Sequence, residues 1–215
     1  MQTTLQLIRR PSPANRPFGL AMFEGNLWMG SWESERIYVM DPETLDLRLE
    51  IQAPGRPYGI APIDGELRVV VAHGEEDDRY LYRVRGGAFD VASKTPCPDL
   101  TGSFMTARGS ALYLGQMHHR RVLEMSPDYS IRREIALPTR SAGFAFGTDG
   151  RFYLISADDE FEHLRFGTLD PSNDHPQFDE MASMPEEARY LLHDGSQWWT
   201  SLRDANELAT FTIAP

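Results

Sequence analysis

Three of the six histidines stand where an apolar, strand-like run gives out: His73 after Val69-Val70-Val71-Ala72, and His118 and His119 after Leu112-Tyr113-Leu114-Gly115. Two carboxylates, Glu33 and Asp158, follow comparable runs. Arg16, Arg56, Arg140 and Arg189 stand just ahead of such runs, and Arg203 just behind one. Imidazole moves protons near neutral pH. A guanidinium forks onto carboxylate or phosphate. Together these types predict a small anionic, carboxylate-bearing molecule handled by general acid/base chemistry, of lyase, cyclase or lactonase type. His73, His118, Glu33 and Asp158 are the candidate catalytic groups. Arg16, Arg56 and Arg203 are candidate substrate anchors, and Trp32 is a candidate stacking surface. His119 shares its turn with His118, but strand alternation points it to the other side.

Each feature also has an ordinary structural reading. His73 and His118 serve equally as loop residues, and Glu33 and Asp158 as solvated carboxylates. Arg16 and Arg56 serve as salt-bridge ties between neighbouring units. The run Glu75-Glu76-Asp77-Asp78 reads as a solvated loop. A divalent metal is a lesser alternative: Glu33, His73 and His118 are suitable ligand types, but they come from separate stretches and no spacing supports the site. Cys97, between Pro96 and Pro98, has no base partner marked for it.

The elements that must position these groups come from a repeat. Arg16-Pro17-Phe18-Gly19-Leu20-Ala21 recurs as Arg56-Pro57-Tyr58-Gly59-Ile60-Ala61. Each copy leads to an acidic residue and glycine, Glu24-Gly25 and Asp64-Gly65, and then to another strand-like run. An aromatic residue recurs at Phe18, Tyr58, Phe104, Phe144 and Tyr190, at spacings of 40, 46, 40 and 46. Its regularity argues for packing between units, since a substrate has no need of fivefold equivalence. Third strands end at Asp41-Pro42, Ser126-Pro127 and Asp170-Pro171, where proline cannot donate to a ladder; the second unit turns at Gly86-Gly87 instead. The first unit reads as strands at about 18–23, 26–32, 36–41 and 45–52.

The fifth unit stops after a third strand, Glu207 to Ile213. The segment Thr3 to Arg9 is strand-like and has no partner of its own. Pairing the two closes a ring and removes an open edge. The predicted fold is therefore all-β, a five-bladed β-propeller of four-stranded blades, spanning 1–215 as a single domain. Loops between second and third strands, and the connections between blades, then share one face around a central mouth, the usual geometry of a small-molecule site. A second class of function fits the same frame: a propeller that binds a ligand or protein without chemistry, its mouth plugged and free of converging titratable groups.

The segment Gly25-Asn26-Leu27-Trp28-Met29-Gly30-Ser31-Trp32, continuing to Asp41-Pro42, resembles the repeat of YVTN/YncE-type propellers. The broader group it resembles includes virginiamycin B lyase and the gluconolactonase/SMP-30 propellers. The likeness is good over 16–72 and thins to spacing alone after about residue 100. It implies the fold; these folds host many activities. The same segment is similar to a Trp-containing strand of the five-bladed glutamine cyclotransferases. Here it falls in the first unit and that family's other motifs are absent, so no catalytic residue is carried over.

Composition narrows the partners. A net charge of −11 repels nucleic acid and anionic membrane. One cysteine excludes an intrachain disulfide framework. The start Met1-Gln2-Thr3-Thr4-Leu5 lacks the pattern of a signal peptide, which predicts a cytoplasmic protein. No P-loop, dinucleotide fingerprint or nucleophile elbow is present.

Overall fold

The fold is described from a computed structural model for residues 3–173 and 176–213; the termini of the expected 1–215 domain and residues 174–175 lie outside the described set. Five antiparallel sheets are arranged in a ring. The first blade holds Pro17–Phe23, Asn26–Ser31, Arg36–Met40 and Leu47–Gln52 from the centre outwards. The second runs through Arg56–Ile63, Glu66–His73, Asp78–Arg85 and Ala88–Pro96. The third is Phe104–Arg108, Ala111–Gln116, Arg121–Met125 and Ile131–Ala136. The fourth is Arg140–Phe146, Phe152–Ala157, Leu164–Leu169 and Asp179–Met184. The fifth begins with Ala188–His193, Trp198–Leu202 and Glu207–Phe211.

Ile8–Pro11 supplies the missing outer strand. It pairs antiparallel with the fifth blade, Arg9 opposite Ala209 and Arg10 opposite Leu208. The predicted closure is thus present, but the strand-like segment is cut in two. Thr3–Thr4 runs parallel to the outer strand of the fourth blade instead, at Ala182 and Ser183. Between them Leu5 and Leu7 pack, half-buried, on the apolar layer shared by blades four and five. Arg10 extends from the closing strand to the first blade, donating from Nη1 to the Glu43 carbonyl (2.6 Å) and from Nη2 to the Pro42 carbonyl (3.2 Å).

Local chemistry sets the turns. Asp41 Oδ1 accepts the backbone N–H groups of Glu43 and Thr44, so the Asp-Pro pair ends a strand and builds the turn beyond it. Gly86 and Gly87 both have positive φ (53° and 76°), as a two-residue type I′ hairpin requires. Helical structure among the described residues is confined to single 3₁₀ turns at Pro98–Leu100 and Met117–His119.

The repeated aromatics do more than separate blades. They sit on the innermost strands, and in blades one, two and five the inner-strand register shifts across them; such bulges re-aim a side chain. Phe18 lies 5.3 Å from Tyr58, 5.5 Å from Phe104 and 6.0 Å from Tyr190, centroid to centroid. The middle of the ring is thereby filled with rings. Tyr190 is fully enclosed: its hydroxyl accepts from Ile60 N (2.9 Å) and faces the carbonyls of Ile60 (2.9 Å) and Met105 (2.6 Å). One side chain of blade five so joins the inner strands of blades two and three. Glycine follows the aromatic in blades one and two for a steric reason. A Cβ on Gly19 would lie 1.9 Å from the Tyr58 carbonyl oxygen, and one on Gly59 2.8 Å from Met105 N.

Asp194 pins the turn of blade five. Burial works against its charge, yet the Trp199 indole N–H (2.6 Å) and the backbone N–H groups of Gln197 and Ser196 hold its carboxyl down to about 2. A carboxyl depressed in the folded state stabilises above its ordinary pKa of about 3.9, and that stability is lost as pH falls through about 2. Discounted for partial exposure, Asp194→Asn is expected to cost about 1 kcal/mol at pH 7. In urea titrations at a series of pH values, the deficit should shrink steadily below pH 4; a deficit constant with pH would remove the charge from the explanation.

Candidate functional site

A cleft of about 350 Å³ opens above the aromatic plug, on the face that carries the second-to-third loops and the blade connections. Its floor and walls are Phe18, Trp32, Tyr58, Phe104 and Phe161, joined by Met117. Trp32, in the loop after Asn26–Ser31, stacks on Phe18 (4.7 Å) and touches Tyr58 (4.5 Å). The polar groups are Arg79, Arg189, Arg203, Asp77, His118, Thr101 and Ser103.

Arg79 stands at the start of a blade-two strand and is nearly buried, its side chain 12% exposed. Its guanidinium lies 3.5 Å above the Tyr58 ring, a cation–π contact strengthened by desolvation. Burial pulls the Arg79 pKa down, opposed by Tyr58 and Asp77. Asp77 has positive φ (60°), at the end of the acidic loop. Its carboxylate is shared among Arg79, Arg56 Nη2 (2.7 Å) and the Tyr58 hydroxyl (3.3 Å). Burial, aided by Asp77 and opposed by Arg79, pushes the Tyr58 phenol up to about 12, so it stays protonated.

Of the three guanidiniums lining the cleft, Arg189 is the one without an ion pair among the described residues. Its Nη1 donates to the backbone carbonyls of Glu186 (2.6 Å) and Ala188 (2.8 Å), and no carboxylate of the described residues forms an ion pair with it. Burial, then the neighbouring Arg203, lowers its pKa to about 10, partly offset by the carboxylates of Asp204 and Glu187; the group is still charged at pH 7. Its guanidinium faces the Phe161 ring at 5.0 Å. Arg203 faces Trp32 at 4.9 Å and pairs with Asp204 at 3.1 Å. Arg79 Nε and Nη1 and Trp32 Nε1 are buried with no hydrogen-bond partner; each such donor costs about 1–3 kcal/mol.

Of the residues singled out by sequence, His118, Trp32 and Arg203 line the cleft. The others are placed elsewhere. His73 packs on Tyr80 (5.3 Å), and its Nε2 meets the Tyr82 hydroxyl (2.9 Å). Burial, then Lys94, lowers the His73 pKa, partly offset by Glu35. Glu33 accepts from Asn15 Nδ2 (3.0 Å). Asp158 caps its own loop by accepting from Glu162 N (2.9 Å), with His163 at 3.6 Å. Arg16 reaches Asp204 (3.8 Å), and Arg56 stands behind Asp77. The four proposed catalytic groups therefore do not converge. Glu33, His73 and His118 do not form a metal centre either: among the described residues no three His, Cys, Asp or Glu side chains gather as ligands. Cys97 is buried, and burial pushes its thiol up to about 12, away from nucleophilic use.

Arg79, Phe161, Thr101 and Ser103 line the cleft without having been singled out by sequence; Phe18, Tyr58 and Phe104 read as packing residues, Asp77 as part of a solvated loop, and Arg189 as a blade-connection arginine that was not made a substrate anchor. Arg189 carried a signal, as an arginine at a blade connection. Arg79 carried a fainter one, as a cation directly behind an acidic loop.

No protein-family model and no curated protein matches the chain. Solved structures do. A glutaminyl cyclase from Myxococcus xanthus is 11% identical, with 98% of each chain covered and a TM-score of 0.63. Catalytically inactive virginiamycin B lyase from Staphylococcus aureus, bearing a histidine-to-alanine change and solved with quinupristin, is 17% identical, covering 95% of this chain and 69% of its own at a TM-score of 0.55. A PQQ-bound aldose sugar dehydrogenase from Streptomyces coelicolor is 15% identical, covering 95% and 80% at a TM-score of 0.60. The β-propeller fold is common to all. At these identities the likeness carries the architecture alone, and a functional reading rests on the propeller's own cleft. No helix among the described residues is long and apolar enough to cross a membrane.

Proposed function

We propose that this propeller is a cytoplasmic small-molecule enzyme whose central cleft binds a carboxylate-bearing substrate and works on it by proton transfer, in the manner of a lyase, cyclase or lactonase. The observation that carries the reading is Arg189: a half-buried cation, charged at neutral pH, facing a ligand-sized cleft, hydrogen-bonded to backbone carbonyls and with no ion pair among the described residues. A substrate carboxylate completes it with a charge-assisted pair. Arg203 and Arg79 add positive potential on the same wall, and their ties to Asp204 and Asp77 hold them in place.

His118 is the only imidazole lining the cleft among the described residues, on the 3₁₀ turn at its rim. It takes the acid/base role in this reading. Asp77, engaged by two guanidiniums and a phenol, positions Arg79 and Tyr58. Solved propellers that share the fold are named as lyase, cyclase and dehydrogenase enzymes, which is compatible with catalysis here. A purely binding propeller accounts for the plugged channel; it gives no reason for an imidazole and three guanidiniums to meet above the plug.

The test is a thermal-unfolding screen against organic acids, followed by turnover assays on those that bind. A ligand at 100 times its dissociation constant adds about 2.7 kcal/mol, or roughly 5–10 °C at this chain length. Arg189→Gln should weaken binding of that acid by about 10–100-fold, the value of a charge-assisted pair. His118→Ala should abolish turnover while binding persists. Unchanged acid binding in Arg189→Gln would sink the anion site; undiminished turnover in His118→Ala would sink the catalytic role.

A further inference from the structure

Resting on the reading of the cleft as an anion site, we infer that its substrate is an aromatic carboxylic acid: a flat ring system with its carboxylate at Arg189. The chemistry of the walls separates this class from the other small acids. Apart from Met117, every apolar group lining the cleft is an aromatic ring, contributed by blades one to four. Trp32 comes from the blade-one loop and Phe161 from the blade-four loop, and both line the cleft. A planar body in a cleft with this lining gains offset or edge-on contacts that an aliphatic body of equal area does not.

The neutral polar inventory points the same way. Hydroxyl partners in the cleft are limited to Thr101, Ser103 and Tyr58, and the Tyr58 hydroxyl is already directed to Asp77. A sugar acid would bring several hydroxyls, which beyond these would have to be met by His118 and by charged groups already engaged with one another or with backbone carbonyls. A polycarboxylate would want several unpaired cations. Arg79 and Arg203 each already hold a carboxylate, and Arg189 does not. One acidic group and a ring are what the lining satisfies.

The probes are benzoate, trans-cinnamate and indole-3-acetate. They are compared with cyclohexanecarboxylate, gluconate, citrate and the neutral benzamide by thermal shift and by tryptophan fluorescence titration of the full chain. Aromatic acids should bind about tenfold more tightly than cyclohexanecarboxylate, the gain expected from ring contacts. Trp32→Leu should cut that preference to about twofold or less while weak acid binding persists through Arg189. Benzamide should bind at least about tenfold less well than benzoate, having no charge for Arg189. If gluconate or citrate binds and the aromatic acids do not, the aromatic inference is overturned and the anion cleft stands. Equal binding of benzamide and benzoate overturns the pairing with Arg189. If a folded protein binds no acid of the set, both the inference and the anion site are overturned.

Discussion

Gly19→Ala is expected to destabilise the protein by about 3–5 kcal/mol, a large part of the 5–15 kcal/mol that holds an ordinary domain together. The reason lies in one distance. The new Cβ would fall 1.9 Å from the carbonyl oxygen of Tyr58, and a backbone atom of the neighbouring inner strand cannot turn aside as a side chain can. Blades one and two would have to separate, loosening the apolar layer formed by Ala21, Ile37 and Val39 against Ile60, Val69 and Val71. Gly59→Ala meets Met105 N at 2.8 Å and Phe104 C at 3.0 Å, so it should cost less than Gly19→Ala but still more than 2 kcal/mol or so. Gly25→Asn is the control: its φ is +71°, a region asparagine tolerates, and nothing stands within 4 Å of its Cβ position. It should cost under about 1 kcal/mol. Urea denaturation of the three variants checks the order, and a Gly19→Ala protein as stable as Gly25→Asn would discard the close-approach account.

Tyr190→Phe should cost about 2–4 kcal/mol although it removes a single oxygen, because up to three buried backbone groups lose their partner. Ile60 N loses its acceptor, and the carbonyls of Ile60 and Met105 lose the hydroxyl they share. The ring itself stays, with its contacts to Phe18 and Phe104, so packing loss does not enter. At about 2–4 °C per kcal/mol for this size, the midpoint should drop by roughly 5–15 °C. Ligand binding by the folded fraction should persist, since Tyr190 lies beneath the cleft and does not line it. A drop under about 2 °C would show that those backbone groups find other partners.

The fold was legible because its determinants are local and repeated. Phe18-Gly19 and Tyr58-Gly59 mark the same bulge and the same close approach in two blades, and Asp41-Pro42 and Asp170-Pro171 write the same turn twice. The N-terminal strand was misread by a few residues because two different edges share it, and alternation does not say which edge a residue meets. The site was legible in part, for a physical reason. Glu33, His73, His118 and Asp158 occupy similar places in sequence, yet their loops differ in length and backbone course, so only His118 is carried to the mouth. Asp77 looked like one more solvated acid until its left-handed backbone turned the carboxylate toward Arg56 and Arg79. Arg79 lies inside a strand, and the reach of its long side chain across the Tyr58 ring depends on the curvature of the whole ring.

Closure by Ile8–Pro11 sets a schedule for making the protein. Arg9 and Glu207, which meet across the seam, are 198 residues apart. At a synthesis rate of 5–20 residues per second, the early strand waits roughly 10–40 s for its partner to be made. During that interval the growing arc of blades has an apolar end that nothing covers, and Ile8 and Arg9 are free to pair with the wrong edge or with another chain. The seam is also the place where chain order and spatial order part company. An arrangement with the Ile8–Pro11 strand made directly after Glu207–Phe211 would place the outer strand of the fifth blade next to its partner in the chain, so the wait of that strand belongs to where the seam falls.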